Sequence, residues 1–282
     1  MKLSVITDEI SQDFDYALDV MLEYGVSSAE LRGLWGTNIT ELDKDQIKRA
    51  KQSLKEREMV VSCLSSPFYK CDIATEDATV RGPLHLASAV RLSEQIEMLH
   101  TLCIHAHEFD TQLIRVFTFW RNGELTPEIE EQIVESFSEP VRIAREEGVV
   151  LALENEHACY IGTGAEAARI ISAIDSPVVR ACWDPGNAFF AGERVFPDGY
   201  QAIKPYLAHF HVKDAAKDPT TGQPVWRAVG EGELDYACQF NALQNDHYQG
   251  YISLETHYVP LNGTPEDGSR ASLAGIMRLL KD

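Results

Sequence analysis

The amino-acid sequence predicts an α/β protein, a closed (β/α)₈ TIM barrel. Strand-like and helix-like patterns alternate along the whole chain, and eight strand-like runs can be counted. The length of 282 residues is usual for one such barrel. No G-x-G-x-x-G motif follows the first strand, which removes the main signature of a dinucleotide-binding open sheet. We therefore predict one domain covering residues 1–282.

The predicted strands are short and apolar almost throughout, as expected for parallel strands that helices cover on both faces. They span residues 3–7, 28–31, 60–64, 114–119, 149–154, 178–183, 208–212 and 251–255.

The spacing of apolar residues, and residues typical of helix ends, predict helices in the segments between the strands. One helix over residues 14–22 is followed by Gly25, and another is predicted between Pro127 and Gly148. Thr163 and Glu166 are spaced as a capping box. The stretch from Asp214 to about Glu233 is polar and rich in glycine and proline, and irregular loops of that length are often functional.

The composition indicates which kinds of binding partner and which cellular location to expect. The formal net charge of -19, without any basic run, argues against nucleic acid or an anionic membrane surface as a partner. No apolar stretch is long enough to span a bilayer, and the first residues do not resemble a signal peptide. The six cysteines include no C-x-x-C pair and are expected to be buried free thiols, so a cytoplasmic location is expected.

Four potential metal ligands stand at the ends of the last four predicted strands: Glu154, Asp184, His211 and Glu255. Each alone is more simply read as a helix cap, a solvated charge or a packed histidine. The C-terminal ends of the strands of a barrel meet at one rim, however, and the four residues occupy the same position in successive units. Carboxylates that follow buried strands need a counter-charge, so we predict one divalent metal. Three carboxylates and one imidazole suit Mn²⁺ first, with Mg²⁺, Co²⁺, Zn²⁺ and Fe²⁺ as alternatives.

The segments ALENEH, WDPGN, HVKDA and SLETH together resemble the sugar phosphate isomerase/epimerase family of xylose isomerase-like barrels. This resemblance covers nearly the whole chain. It implies metal ligands at the same four positions, and a pair of glutamates, Glu154 and Glu255, that removes and returns a proton beside a carbonyl. Because related barrels often pair, a homo-oligomer is also an expectation.

Further side chains near the same rim are candidates for contacts with a sugar substrate, with ordinary rim salt bridges as the alternative. They are Glu156, His157, Asn187, Lys213, Arg115, Trp120 and Arg121. Trp120 is expected to cover a sugar face. Glu30, Arg32 and Asp214 are candidates of the same kind, whereas His209 is expected to point away from His211 and to pack.

Two departures from the family pattern concern the substrate. Asn187 stands where epimerases of this superfamily commonly carry a histidine, and Lys213 and Asp214 stand near where they carry an arginine. The sequence therefore predicts a metal-dependent isomerase or epimerase of a small sugar or keto-sugar, with phosphorylation left open. A lyase or dehydratase acting on a keto-sugar or cyclitol through the same site is the alternative. A hydrolase and a sugar-binding barrel without turnover come after these.

Overall fold

The computed structural model describes residues 1–75 and 78–281. Eight parallel strands form a closed barrel in which each strand pairs with its neighbours in chain order, and β8 closes onto β1. The strands are β1 (Lys2–Ile6), β2 (Ser28–Leu31), β3 (Val60–Leu64), β4 (Leu113–Val116), β5 (Val150–Glu154), β6 (Val179–Trp183), β7 (Leu207–Val212) and β8 (Tyr251–Leu254). The predicted fold class is thus confirmed.

Ten α-helices are found among the described residues, most of them on the outside of the barrel. They are α1 (Phe14–Glu23), α2 (Lys44–Glu56), α3 (Gln95–Glu108), α4 (Pro127–Ser136), α5 (Ser138–Glu147), α6 (Gly164–Ile174), α7 (Pro185–Phe190), α8 (Tyr200–Ile203), α9 (Tyr236–Asn245) and α10 (Pro265–Leu279). Short 3₁₀ turns lie at Thr7–Glu9, Leu92–Glu94 and Lys204–Tyr206, and a π turn at Val195–Gly199.

The predicted helix between Pro127 and Gly148 is two helices. Pro140 has no N–H with which to continue the ladder to the carbonyl of Ser136, and its ring crowds that carbonyl. The Ser136 carbonyl accepts a hydrogen bond from the hydroxyl of Tyr69 at 2.7 Å instead. Gly148 ends the second helix in the left-handed conformation, as predicted.

The fourth strand is shorter than predicted, and this changes the position of Trp120. The barrel strand ends at Val116, and residues 117–120 bond to the loop after β3 instead, with the Trp120 N–H donating to the Cys71 carbonyl at 2.9 Å. Trp120 is fully buried in a small cluster with Phe117 and Cys159. Trp120 is thus packed among protein side chains, and its predicted contact with a sugar face stays a prediction.

The long segment after β7, predicted to be irregular, contains a two-stranded antiparallel hairpin, Asp214–Lys217 with Pro224–Arg227. The Asp214 carboxylate accepts the N–H groups of Gly230, Gly232 and Leu234, so its role is to hold the returning loop. The side chain of Trp226 on this hairpin lies above the rim of the barrel, against Phe190 and His257.

Five of the six cysteines are buried, and Cys238 is exposed, unlike the prediction for it; in the part of the chain that the structure describes, no disulfide joins any of them. Within residues 1–75 and 78–281, no helix is both long and apolar enough to cross a membrane.

Substituting Gly275→Ala is expected to destabilise the barrel. Helix α10 passes so close to the loop between the hairpin and α9 that a Cβ on Gly275 would lie 1.8 Å from the carbonyl oxygen of Val229. Forcing the backbone apart should lower the free energy of unfolding by about 1–3 kcal/mol or more, measured by urea denaturation. Arg278→Ala, on the exposed face of the same helix, should change it by less than about 0.5 kcal/mol. Equal stability of the two variants would contradict this close contact.

Candidate active site

The structure brings the four predicted ligands to one point at the C-terminal rim of the barrel. Glu154, Asp184, His211 and Glu255 are all buried, and one ligand atom from each lies within 4.8 Å of those of the others. Glu154 ends β5, Asp184 follows β6, His211 lies near the end of β7 and Glu255 follows β8.

Each of the four side chains is anchored by one atom and keeps another atom facing the shared point. Asn187 anchors two of them, because its Nδ2 donates to Glu154 Oε1 at 2.9 Å and its backbone N–H donates to Asp184 Oδ1 at 2.8 Å. Arg32 donates to Glu255 Oε1 at 2.8 Å. Glu154 Oε2, Asp184 Oδ2, His211 Nδ1 and Glu255 Oε2 are buried and have no hydrogen-bond partner of good geometry among the residues that the structure describes.

The local sequence WDPGN explains how Asp184 reaches this position. Asp184 is the N-cap of α7, with Pro185 in the first turn, so its Oδ1 is used within the helix and its Oδ2 remains available. Gly186 is required here because a Cβ would lie 2.5 Å from the carbonyl oxygen of Lys213. Asp184 can therefore cap the helix with Oδ1 and bind a metal with Oδ2.

Glu30 fixes the orientation of the His211 ring from inside the barrel. Its Oε1 lies 3.1 Å from His211 Nε2, which turns His211 Nδ1 toward the three carboxylates. Its Oε2 lies 2.8 Å from His209 Nε2. The prediction that His209 points away from His211 is wrong, because residues two apart in a strand share a face.

Three cationic side chains surround the carboxylates. Lys213 Nζ lies 2.8 Å from Glu255 Oε2 and 3.0 Å from Asp184 Oδ2, although neither contact has hydrogen-bond geometry. Arg115 lies 3.2 Å from Glu154 and 3.4 Å from Glu255. Arg32 bonds to Glu255 and also to Asp8 and Glu9 near the end of β1.

The two glutamates differ in their electrostatic surroundings. Burial opposes ionisation of both, but at Glu154 the Arg115 guanidinium and the His211 imidazole together outweigh it and hold the pKa of Glu154 below its ordinary value. At Glu255 the Lys213 ammonium and further partners hold the pKa well below the ordinary value. At Asp184 the effect of burial is larger than the effect of the nearby Lys213 ammonium, and the pKa of Asp184 is raised. Glu255 is thus the more strongly stabilised carboxylate of the pair.

The other predicted contact residues fall into two groups. Glu156, His157, Asn187, Lys213 and Arg115 lie at the rim with the four-residue cluster; Glu156 pairs with Lys70 at 3.3 Å and with His157 at 2.9 Å. Arg121 instead donates to the carbonyls of Cys159 and Tyr160, and none of its described hydrogen bonds or ion pairs reaches the cluster.

Sequence reasoning missed several residues of this rim. Lys70, Phe190, Trp226 and His257 were not singled out, and neither were Asp8 and Glu9. Two signals were available: the Gly- and Pro-rich segment after β7 carries Trp226, and the SLETH segment ends on His257.

This donor set fits a divalent cation. Four buried polar atoms without hydrogen-bond partners converge on one point, three are carboxylate oxygens, and each ligand has a second contact that orients it. The buried negative charges need compensation, which a cation at this point would provide.

The model of the xylose isomerase-like TIM barrel family matches residues 18–279. The chain belongs to this family. An inosose dehydratase from Clostridium perfringens is 19% identical over 267 residues, covering 89% of this chain and 87% of the relative. Barrels of this family are thus found in enzymes that modify sugars and related compounds.

Solved structures share the fold at low sequence identity. The 3-keto-D-glucoside 4-epimerase YcjR from E. coli matches with a TM-score of 0.71 and 18% identity, covering 100% of this chain and 98% of the other. A xylose isomerase-like TIM barrel protein from Mycobacterium smegmatis, in complex with magnesium, matches with a TM-score of 0.68 and 18% identity, covering 95% and 89%.

Proposed function

We propose that this family member is a divalent-metal-dependent isomerase or epimerase that moves a proton beside the carbonyl of a small keto-sugar. Glu154, Asp184, His211 and Glu255 would hold the metal, with Mn²⁺ first and Mg²⁺ next among the candidates. The observation that carries the proposal is the set of four buried, unbonded polar atoms that converge from four strands. When bound, a divalent ion would polarise the carbonyl and so acidify the adjacent C–H bond.

Proton removal is assigned first to Glu154. Its Oε1 is bonded to the neutral amide of Asn187, and one guanidinium lies near it. Glu255 contacts two guanidiniums and an ammonium, which makes it the weaker base. Glu154 would take the proton from the carbon beside the carbonyl, and Glu255 would return a proton in the isomerase or epimerase reaction.

A dehydratase is the second candidate, and Lys213 favours it. Its ammonium lies 2.8 Å from Glu255 and is buried at the same point, where it can donate a proton. Glu154 would take the C–H proton, a carbon–carbon double bond would form, and the neighbouring hydroxyl would leave as water with a proton from Lys213. The inosose dehydratase from Clostridium perfringens supports this alternative by its name.

The experiment that tests the proposal is solvent exchange. The protein is loaded with Mn²⁺ and incubated in D₂O with a panel of keto-sugars and cyclic polyhydroxy ketones, and the metal is removed before NMR and mass spectrometry. Deuterium at the carbon beside the carbonyl, without loss of water, supports the isomerase or epimerase. A mass loss of one water supports the dehydratase. Ligand binding with neither deuterium exchange nor loss of water, under any metal, would contradict both enzymes and favour a sugar-binding barrel.

The role of Glu30 gives a separate prediction. Glu30→Gln leaves the size of the side chain unchanged but removes the charge that orients and polarises His211. The affinity for Mn²⁺, measured by isothermal titration calorimetry, is expected to fall about 10- to 100-fold. Glu41→Gln, at an exposed position, serves as the control and should bind Mn²⁺ as the parent does. Parent-like affinity in Glu30→Gln would contradict this role.

A further inference from the structure

Five rings form an arc over the carboxylate cluster, which we call the aromatic collar: His85, His157, Phe190, Trp226 and His257. Successive ring centroids are 4.0–5.5 Å apart: His157–Phe190, Phe190–Trp226, Trp226–His257 and His257–His85. The rings come from the loop after β3, from the ends of β5 and β8, from α7 and from the hairpin after β7. All five residues are half-buried.

The collar lies directly against the candidate metal ligands. His157 Nδ1 is 3.2 Å from Asn187 Oδ1, and Asn187 in turn bonds to Glu154. His257 Nε2 is 3.5 Å from Glu255 Oε1, and Lys213 Nζ is 5.4 Å from the centre of the Trp226 ring. The collar therefore borders the space next to the cluster, where a substrate would bind.

Aromatic rings favour a substrate that offers a flat apolar face. A closed sugar or cyclitol ring presents several C–H groups on one rigid face, and burying that face against aromatic rings removes apolar area from water. An open-chain polyol has to lose the freedom of several torsions to present the same face. The imidazoles of the collar add polar atoms that can bond to hydroxyl groups.

The charges at the rim leave no net positive charge for a phosphate. Among the described residues, each buried cation at this rim already has a carboxylate partner: Arg32 has Asp8, Glu9 and Glu255, Arg115 has Glu154 and Glu255, Lys70 has Glu156, and Lys213 has Asp184 and Glu255. The carboxylates outnumber these cations. A divalent ion at the cluster would bring these four cations and their six carboxylate partners to balance, so a phosphate dianion would add negative charge that no cation compensates.

Resting on the function proposed above, we propose that the aromatic collar makes this site specific for an uncharged, ring-closed polyhydroxy ketone, and that open-chain and phosphorylated sugars are rejected. Trp226, stacked on Phe190 at the centre of the collar, is the specificity-determining residue.

Three matched, unreactive probes test this inference: 1,5-anhydro-D-glucitol, which is ring-closed; D-glucitol, its open-chain counterpart; and 1,5-anhydro-D-glucitol 6-phosphate. The Mg²⁺-loaded protein is studied by saturation-transfer NMR, irradiating aromatic protons and observing the C–H protons of each probe. We expect saturation of the ring-closed neutral probe, and weaker binding of the other two by about tenfold or more.

Variants of Trp226 link the signal to the collar. Trp226→Ala should weaken binding of 1,5-anhydro-D-glucitol roughly three- to tenfold, and Trp226→Phe should retain most of it. Tyr16→Ala, at an exposed position on α1, is the control and should bind as the parent does. Circular dichroism checks that each variant is folded. If Trp226→Ala does not fold, Phe190→Leu takes its place as the variant that removes a ring of the collar.

The inference is overturned if D-glucitol or the phosphate binds as tightly as the neutral ring, if the neutral ring does not bind, or if loss of the collar ring has no effect. Failure of the proposed function has a different signature. In that case no keto compound exchanges deuterium, whichever probe the collar binds.

Discussion

The Glu154→Gln substitution is expected to lower the turnover of the metal-loaded protein by about 10²–10⁴-fold, with a parallel loss of deuterium exchange. Glutamine can occupy the same space and can offer one carbonyl oxygen, but it cannot accept a proton. Because Glu154 carries fewer cationic contacts than Glu255, we assign the first proton removal to it. Rates are to be measured at saturating Mn²⁺ so that a weaker metal affinity does not mask the chemical effect.

Comparison with Glu255→Gln separates the two glutamates. If Glu154 removes the proton and Glu255 returns one, Glu255→Gln should lose product formation while it retains part of the exchange. The control is Glu131→Gln on the exposed face of α4, which should have parent turnover. Full activity of Glu154→Gln with its substrate would contradict the assignment.

Adding a divalent metal to the chelator-treated protein is expected to stabilise the fold. Three carboxylates share one buried point, and a cation there removes their mutual repulsion. At a metal concentration one hundred times the dissociation constant, the gain in the free energy of unfolding should be about 2.7 kcal/mol, or about 5 °C in Tm. Differential scanning calorimetry with Mn²⁺ and Mg²⁺ measures this shift.

The variant Asp184→Asn tests whether the shift arises at this site. It removes one carboxylate while Asn keeps an oxygen that can still cap α7. We expect most of the metal-dependent shift to disappear, whereas Glu131→Gln should keep it. An equal shift in Asp184→Asn, or no shift in the parent protein, would contradict a metal held by these four residues.

Local patterns in the sequence were sufficient for the fold and for the position of the four-residue cluster. Parallel strands that are buried on both faces are apolar until they reach the rim, so Glu154 and Asp184 stand out where each run ends. The capping box at Thr163 and Glu166 was predicted for the same reason, since all its atoms lie within one turn of helix.

The predicted end of the fourth strand was wrong because a segment distant in sequence forms hydrogen bonds with the same backbone groups. Residues 117–120 leave the barrel because the loop after β3 supplies their hydrogen-bond partners, and Trp120 is buried as a result. The error at His209 has another cause: the two-residue period of a strand places it beside His211, where Glu30 bonds to both.

The sequence by itself determined the alternation of strands and helices, the closed barrel and the four side chains at one rim, because these follow from periodicity and from the position of each residue in its own strand. Only the tertiary structure decided which atoms remain free to bind and which are already bonded. Glu255 bonds to Arg32, which is 223 residues away in the sequence, and to Arg115, which is 140 residues away. Glu30 bonds to His211, which is 181 residues away. Such contacts depend on how the whole barrel closes, and no local pattern encodes them. They decide which carboxylate has more cationic neighbours and how the histidine ring is oriented.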